Sequence, residues 1–155
     1  MGESPLSAPA RPADTPGMDD FRKELAAVVD VMRGEGVEPA FLVVDLEGIA
    51  AIRQMHGAAS LDTFRETAIG AISGAANGCD TFTYGDERIV AILGGFGRLQ
   101  TFALIEKLRR ALPFLGQSFD VVLRPEFDVL EYDEGTGVAG LVAQLARLSR
   151  NREVA

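Results

Sequence analysis

The chain of 155 residues has one cysteine, one histidine and no tryptophan. A lone Cys79 cannot close an internal disulfide, which agrees with a reducing compartment. A lone His56 has no cysteine or serine partner in a recognisable arrangement, so nucleophilic catalysis of the triad type finds no support. No stretch approaches the roughly 20 apolar residues of a membrane-spanning helix. The first residues show no basic segment followed by an apolar one, so no secretory signal is legible. Leu6 stands where a myristoylation signal wants Ser or Thr. Positive charge is also scarce: 15 Lys and Arg against 23 Asp and Glu leave a net charge of −8. That field repels a phosphate backbone and argues against nucleic acid as a partner. Arg147, Arg150 and Arg152 make a local basic patch, read as favourable charge at a helix end. A cytoplasmic protein without membrane insertion is the expectation.

Apolar residues make up 47% of the chain, enough for one packed domain. Residues 1–17 carry Pro5, Pro9, Pro12 and Pro16 and read as a flexible tail ahead of a domain over 18–155. A helix is expected from Asp19, with Phe21, Leu25, Val28 and Met32 as its apolar stripe and Gly34 and Gly36 at its end. Ala40 to Val44 is a short apolar run ending on Asp45, the pattern of a buried strand with a carboxylate at its exit. A short helix through Ile49 and Ile52 stops at Gly57, and Ser60 caps a longer one bearing Leu61, Phe64, Ala68 and Ile72.

Asp80–Thr83 and Arg88–Leu93 read as strands joined by the turn Tyr84-Gly85-Asp86-Glu87. A helix over Leu99–Leu112 follows, with Leu104, Leu108 and Leu112 in register. Phe119–Leu123 and Phe127–Tyr132 read as two more strands, and a last helix carries Val138, Leu141, Val142, Leu145 and Leu148. Helices interleaved with strands in this order pack as an α/β domain, a sheet with helices on its faces.

Two carboxylate groups carry the chemical information. Asp45 closes the first strand with Glu47 two residues on, and Asp86 and Glu87 lie in the hairpin turn. Carboxylates from a strand end and a neighbouring hairpin can converge on a divalent cation that holds a triphosphate. Acidic residues also favour turns and strand exits for local reasons, and pattern alone leaves both readings open. His56 and Cys79 read as packing residues, and Phe96 as either a core residue or an exposed anchor.

The string Phe41-Leu42-Val43-Val44-Asp45-Leu46-Glu47, then Gly57, Asp62, and Tyr84-Gly85-Asp86-Glu87 followed by Ile89 to Leu93, resembles the GGDEF domain of bacterial diguanylate cyclases. Ser149-Arg150-Asn151-Arg152 is similar to that family's closing Gly-Arg-Asn signature. The resemblance runs from about Asp19 to Val154. It implies a nucleotidyl-cyclase-like fold with a mixed, five-stranded central sheet surrounded by helices. In active members two domains face each other, each holding one GTP, and two Mg²⁺ ions assist their joining into cyclic di-GMP. The resemblance implies that Asp45, Asp86 and Glu87 are vestiges of a metal site. It likewise implies that Asp62, Arg53, Tyr84 and Gly85 are vestiges of a nucleotide site.

Departures from the family pattern are heavy. Arg53 stands where an asparagine reads guanine, and arginine has no acceptor. Ala50 and Ala146 stand where phosphate-binding lysines are usual. Tyr84 replaces the first glycine of the signature and Arg88 its phenylalanine. Before the signature, Asn77 replaces the arginine of the family's inhibitory product site, while Asp80 keeps its aspartate. Each lost charged contact costs on the order of 1–3 kcal/mol, so several together remove thousands-fold in affinity or rate. The expectation is a degenerate domain with no catalytic residues and no cofactor, taking Mg²⁺ only if nucleotide binding survives. Its role would be contact with another signalling protein or domain, or self-association as a homodimer. The alternatives are a GTP sensor and an atypical active cyclase.

Overall fold

The structure is a computed structural model that describes residues 14–85 and 87–154, with side chains described over 20–85 and 87–148. The expected tail over 1–17 therefore lies outside the described residues up to position 13. The elements in chain order are α1 (Asp14–Gly34), β1 (Pro39–Glu47), α2 (Ala50–His56), α3 (Ala58–Ala75), β2 (Asp80–Tyr84), β3 (Arg88–Gly94), α4 (Arg98–Gln117), β4 (Arg124–Glu131) and α5 (Gly137–Val154). They fall into two compact units. One is the continuous segment Gly36–Glu131, and the other joins the chain up to Glu35 with the chain from Tyr132 on.

The continuous unit holds a sheet in the order β2-β3-β1-β4, every neighbouring pair antiparallel. The α/β architecture is as expected, but the sheet has four strands among the described residues rather than five, and it is not mixed. The missing strand is Phe119–Leu123. Helix α4 runs past the predicted end at Leu112, through Pro113, to Gln117. The chain then turns back with Asp120 at φ +57°. The Gly116 carbonyl accepts from the N–H groups of both Phe119 (2.9 Å) and Val121 (3.0 Å). A Cβ at Gly116 would sit 2.8 Å from Val121 O and from Leu123 Cγ, so only glycine admits this return. Val121 and Leu123 reach the core from that return segment, which satisfies the alternating apolar pattern without a strand ladder.

Strand β1 carries the unit. Successive side chains point to opposite faces, and Leu42, Val44 and Leu46 enter a core shared with Ile89, Ala91 and Leu93 of β3. Helices α2, α3 and α4 close that core with Ile52, then Leu61, Phe64, Ala68 and Ile72, then Leu104, Leu108 and Leu112. The stripes on α3 and α4 match the sequence reading. Ser60 does not cap α3, however. Gly57, at φ +96°, ends α2 and lets the chain re-enter a helix at once. The Leu61 N–H already donates to Gly57 O at 3.2 Å, so Ser60 lies inside the first turn. Phe96 packs against this core. His56 Nε2–H donates to Phe119 O at 2.8 Å and its ring meets Phe119 edge-on, a packing role as expected.

In the other unit α1 and α5 pack against each other. Helix α1 begins at Asp14, ahead of the predicted Asp19. Its buried residues are Phe21, Leu25 and Val29 at a strict four-residue interval, while the expected Val28 and Met32 are only half-buried. Among the described side chains of α5, Leu141, Val142 and Leu145 are buried. The Arg33 guanidinium binds Glu134 and lies over the Tyr132 ring, 5.2 Å from its centroid, which ties the end of α1 to the segment leading into α5.

Candidate functional site

The end of the sheet nearest the β2–β3 hairpin gathers charge. Val43, Asp45, Arg88 and Val90 share the face opposite the main core, because Asp45 pairs with Arg88 and Val43 with Val90. The Arg88 Nη2 to Asp45 Oδ2 distance is 3.2 Å, with side chains only 13% and 6% exposed respectively. Strand β4 adds carboxylates on this face. Glu126 lies opposite Asp45, and Asp128 lies opposite Val43, diagonal to Asp45. Burial pushes the Asp128 carboxyl above the usual carboxylate range; Asp45 pushes the same way and Arg88 opposes both. The guanidinium from β3 thus lies on the sheet face that carboxylates of β1 and β4 share.

The hairpin is anchored beyond its own ladder. Its loop closes with Gly85 at φ +71°, a conformation glycine adopts without strain. The Glu87 carbonyl accepts from the Leu46 N–H at 2.7 Å, tying the loop's far side to β1. Beside this junction lies a cleft of about 240 Å³ lined by Ile49, Ala50, Arg53, Leu61, Glu87 and Arg88. Ile49 and Leu61 give it an apolar floor. Arg53 on α2, with Glu87 and Arg88 at the far side of the hairpin, completes the lining.

No protein-family model matches the sequence, and no curated protein matches it. Solved structures do match in shape. The GGDEF domain of DgcB from Caulobacter crescentus, solved in complex with c-di-GMP, superposes with a TM-score of 0.63 at 16% identity, over 86% of this chain and 83% of that one. A sensory box/GGDEF family protein from the same organism gives 0.59 at 18% identity over 88% and 92%. The active GGEEF domain of a diguanylate cyclase from Vibrio cholerae gives 0.58 at 15% identity over 86% and 90%. This chain has the GGDEF fold.

Within that fold, the residues singled out from sequence separate into two groups. Asp45, Arg53, Gly85 and Glu87 gather around the cleft and the hairpin junction. Tyr84 pairs with Arg88 and shares its face of the sheet, yet it is not among the residues lining the cleft. Asp62 is exposed on α3, with Arg65 Nη1 3.5 Å from its Oδ1. Asp86 lies outside the described residues, as do the side chains of Arg150 and Arg152. Asp128, by contrast, escaped the sequence reading. Its signal was the alternation of Glu126 and Asp128 with Pro125, Phe127 and Val129, which places both carboxylates on one face of a strand.

The cations that a GGDEF fold implies can be tested against this geometry. Asp45, the carboxylate the resemblance assigns to a metal, already holds the Arg88 guanidinium. Among the described residues no group of three His, Cys, Asp or Glu side chains is placed to hold a metal ion. Among the described residues, which leave out Asp86, the carboxylate that the resemblance assigns to a metal is taken by a guanidinium and so does not fit a divalent metal in this arrangement. Burial, aided by Asp80, raises the Cys79 thiol above the ordinary range, which disfavours the thiolate. No helix among the described residues is long and apolar enough to cross a membrane.

Proposed function

We propose that this domain is a non-catalytic GGDEF-like module that takes part in cyclic-di-GMP-type regulation by contact with another signalling protein or domain. The observation that carries the reading is the lining of the cleft. Ala50 and Arg53 face the space where the resemblance calls for an ammonium group and an amide. A methyl group contributes no charge to a triphosphate, and a guanidinium cannot accept from a purine edge. Three or four such losses lower nucleotide affinity or turnover by thousands-fold or more. Purified protein incubated with GTP and Mg²⁺ or Mn²⁺ should yield no cyclic di-GMP; detectable product would refute the reading.

A second reading has its own support in the same cleft. Arg53 brings positive charge to a concave site with an apolar floor, which suits an anionic ligand such as GTP held without turnover. Calorimetry with GTP, with and without Mg²⁺, separates the two. Heat of binding that weakens in Asp62→Ala would favour the sensor. No heat and no thermal shift would leave the interaction module alone.

A further inference from the structure

We infer that Arg88 is a built-in replacement for a divalent cation: its guanidinium holds the charge of the strand-end carboxylates, so that the chain takes no Mg²⁺ or Mn²⁺ there. The inference deepens the non-catalytic reading, since it rests on the same site, but it concerns cation binding rather than turnover.

Three observations converge on it. First, the Asp45–Arg88 contact, at 3.2 Å, is almost fully removed from water, so Asp45 cannot exchange this partner for a hydrated ion without unburying a charge. Second, the partners sit on directly paired positions of β1 and β3, the two central strands of the sheet. Ladder register fixes the guanidinium in place, so it does not rely on a mobile loop. Third, Asp128 on the neighbouring strand β4 lies opposite Val43 and diagonal to Asp45, so a second carboxylate shares the sheet face that Arg88 occupies. A guanidinium differs from a metal in being covalently attached, permanently charged and unable to activate a hydroxyl or water. The site keeps its electrostatic balance while losing the chemistry.

The consequence is testable by removing the tethered charge. Divalent ions of this size keep several waters and take few protein carboxylates, so Asp45, with Asp128 on the same face, offers the ligands that a freed site would use. Mn²⁺ added without nucleotide, followed by the paramagnetic resonance of the free ion, reads binding directly. The wild-type chain should leave the free-ion signal unchanged. Arg88→Met should bind Mn²⁺ at least about tenfold more tightly than wild type, because two adjacent carboxylates then lack a cation. Adding Asp45→Asn to Arg88→Met should abolish the gain.

Wild-type binding as tight as that of Arg88→Met would overturn the inference. So would a folded Arg88→Met that gains nothing. If Arg88→Met unfolds without metal, Mn²⁺ must restore its far-ultraviolet circular dichroism. Failure to do so, with no gain in the folded Arg88→Gln variant, counts against the inference. The two claims fail separately. Mn²⁺ binding by wild type without GTP turnover sinks the cation replacement and leaves the non-catalytic reading standing. Cyclic di-GMP production by wild type sinks the reading itself.

Discussion

The two faces of the central sheet solve the same problem by different means. On one face Leu42, Val44, Leu46, Ile89, Ala91 and Leu93 are fully apolar and meet three helices. On the other, Phe41, Val43, Val90 and Ile92 begin in the same way, but the face ends in Asp45, Arg88 and Asp128. Burial of hydrocarbon is additive and tolerant of exchange between apolar residues. Burial of a carboxylate is conditional on its partner, because removing one ion of the pair strands the other in a poor solvent. The first face secures the fold; the second fixes what its hairpin end can bind.

The comparison can be broken or sharpened by substitution, from the largest expected effect downward. Phe64→Ala empties a fully buried position of α3 and should cost about 3–5 kcal/mol in denaturant unfolding. A loss below about 1 kcal/mol would mean the core face is looser than its packing suggests. Asp45→Ala leaves the Arg88 guanidinium buried without this carboxylate and should cost about 3 kcal/mol. Asp45→Ala combined with Arg88→Met should recover part of that loss, and strict additivity of the two would show the pair to be uncoupled.

Gly48→Ala acts at the junction where β1 passes into α2. The glycine has φ +103° and its missing Cβ would lie 2.6 Å from Val122 O, so the substitution should cost about 1–3 kcal/mol by thermal unfolding. An unchanged melting temperature would show that this turn relaxes freely.

Asp128→Asn gives the smallest effect and a signed one. The Asp128 carboxyl is raised in the folded chain, so its favourable share is present below the ordinary carboxylate range and is lost as pH rises through its folded value. Wild type should therefore lose its disadvantage relative to Asp128→Asn as pH falls from neutral into the acid range. The Asn variant should be equal or slightly more stable at neutral pH. A variant less stable than wild type at neutral pH would show that the carboxylate is net favourable to the fold.

The apolar periodicities were legible because they are local. The α3 stripe of Leu61, Phe64, Ala68 and Ile72 is buried as its spacing requires, and so are Leu104, Leu108 and Leu112 on α4. The hairpin around Gly85 was legible from turn chemistry. The strand expected over Phe119–Leu123 was not formed, since alternation alone does not say whether a segment pairs or merely folds back onto a helix end. The candidate site was half legible. Arg88 stood out in the sequence as a charge at a strand start, yet its partner is 43 positions away, by the difference of 88 and 45, and only strand register brings them together. Asp128 needed the same register across a second strand pair.

The pairing of Ala40 with Glu131 sets where the sheet-bearing segment begins and ends. Entry and exit of that segment lie side by side on adjacent strands, within about 5.5 Å between paired Cα atoms. The Asp45–Arg88 pair sits five positions further along β1, roughly 17 Å away at the rise of an extended chain. The chain thus enters and leaves the sheet at one pole, and the hairpin and its cleft occupy the other.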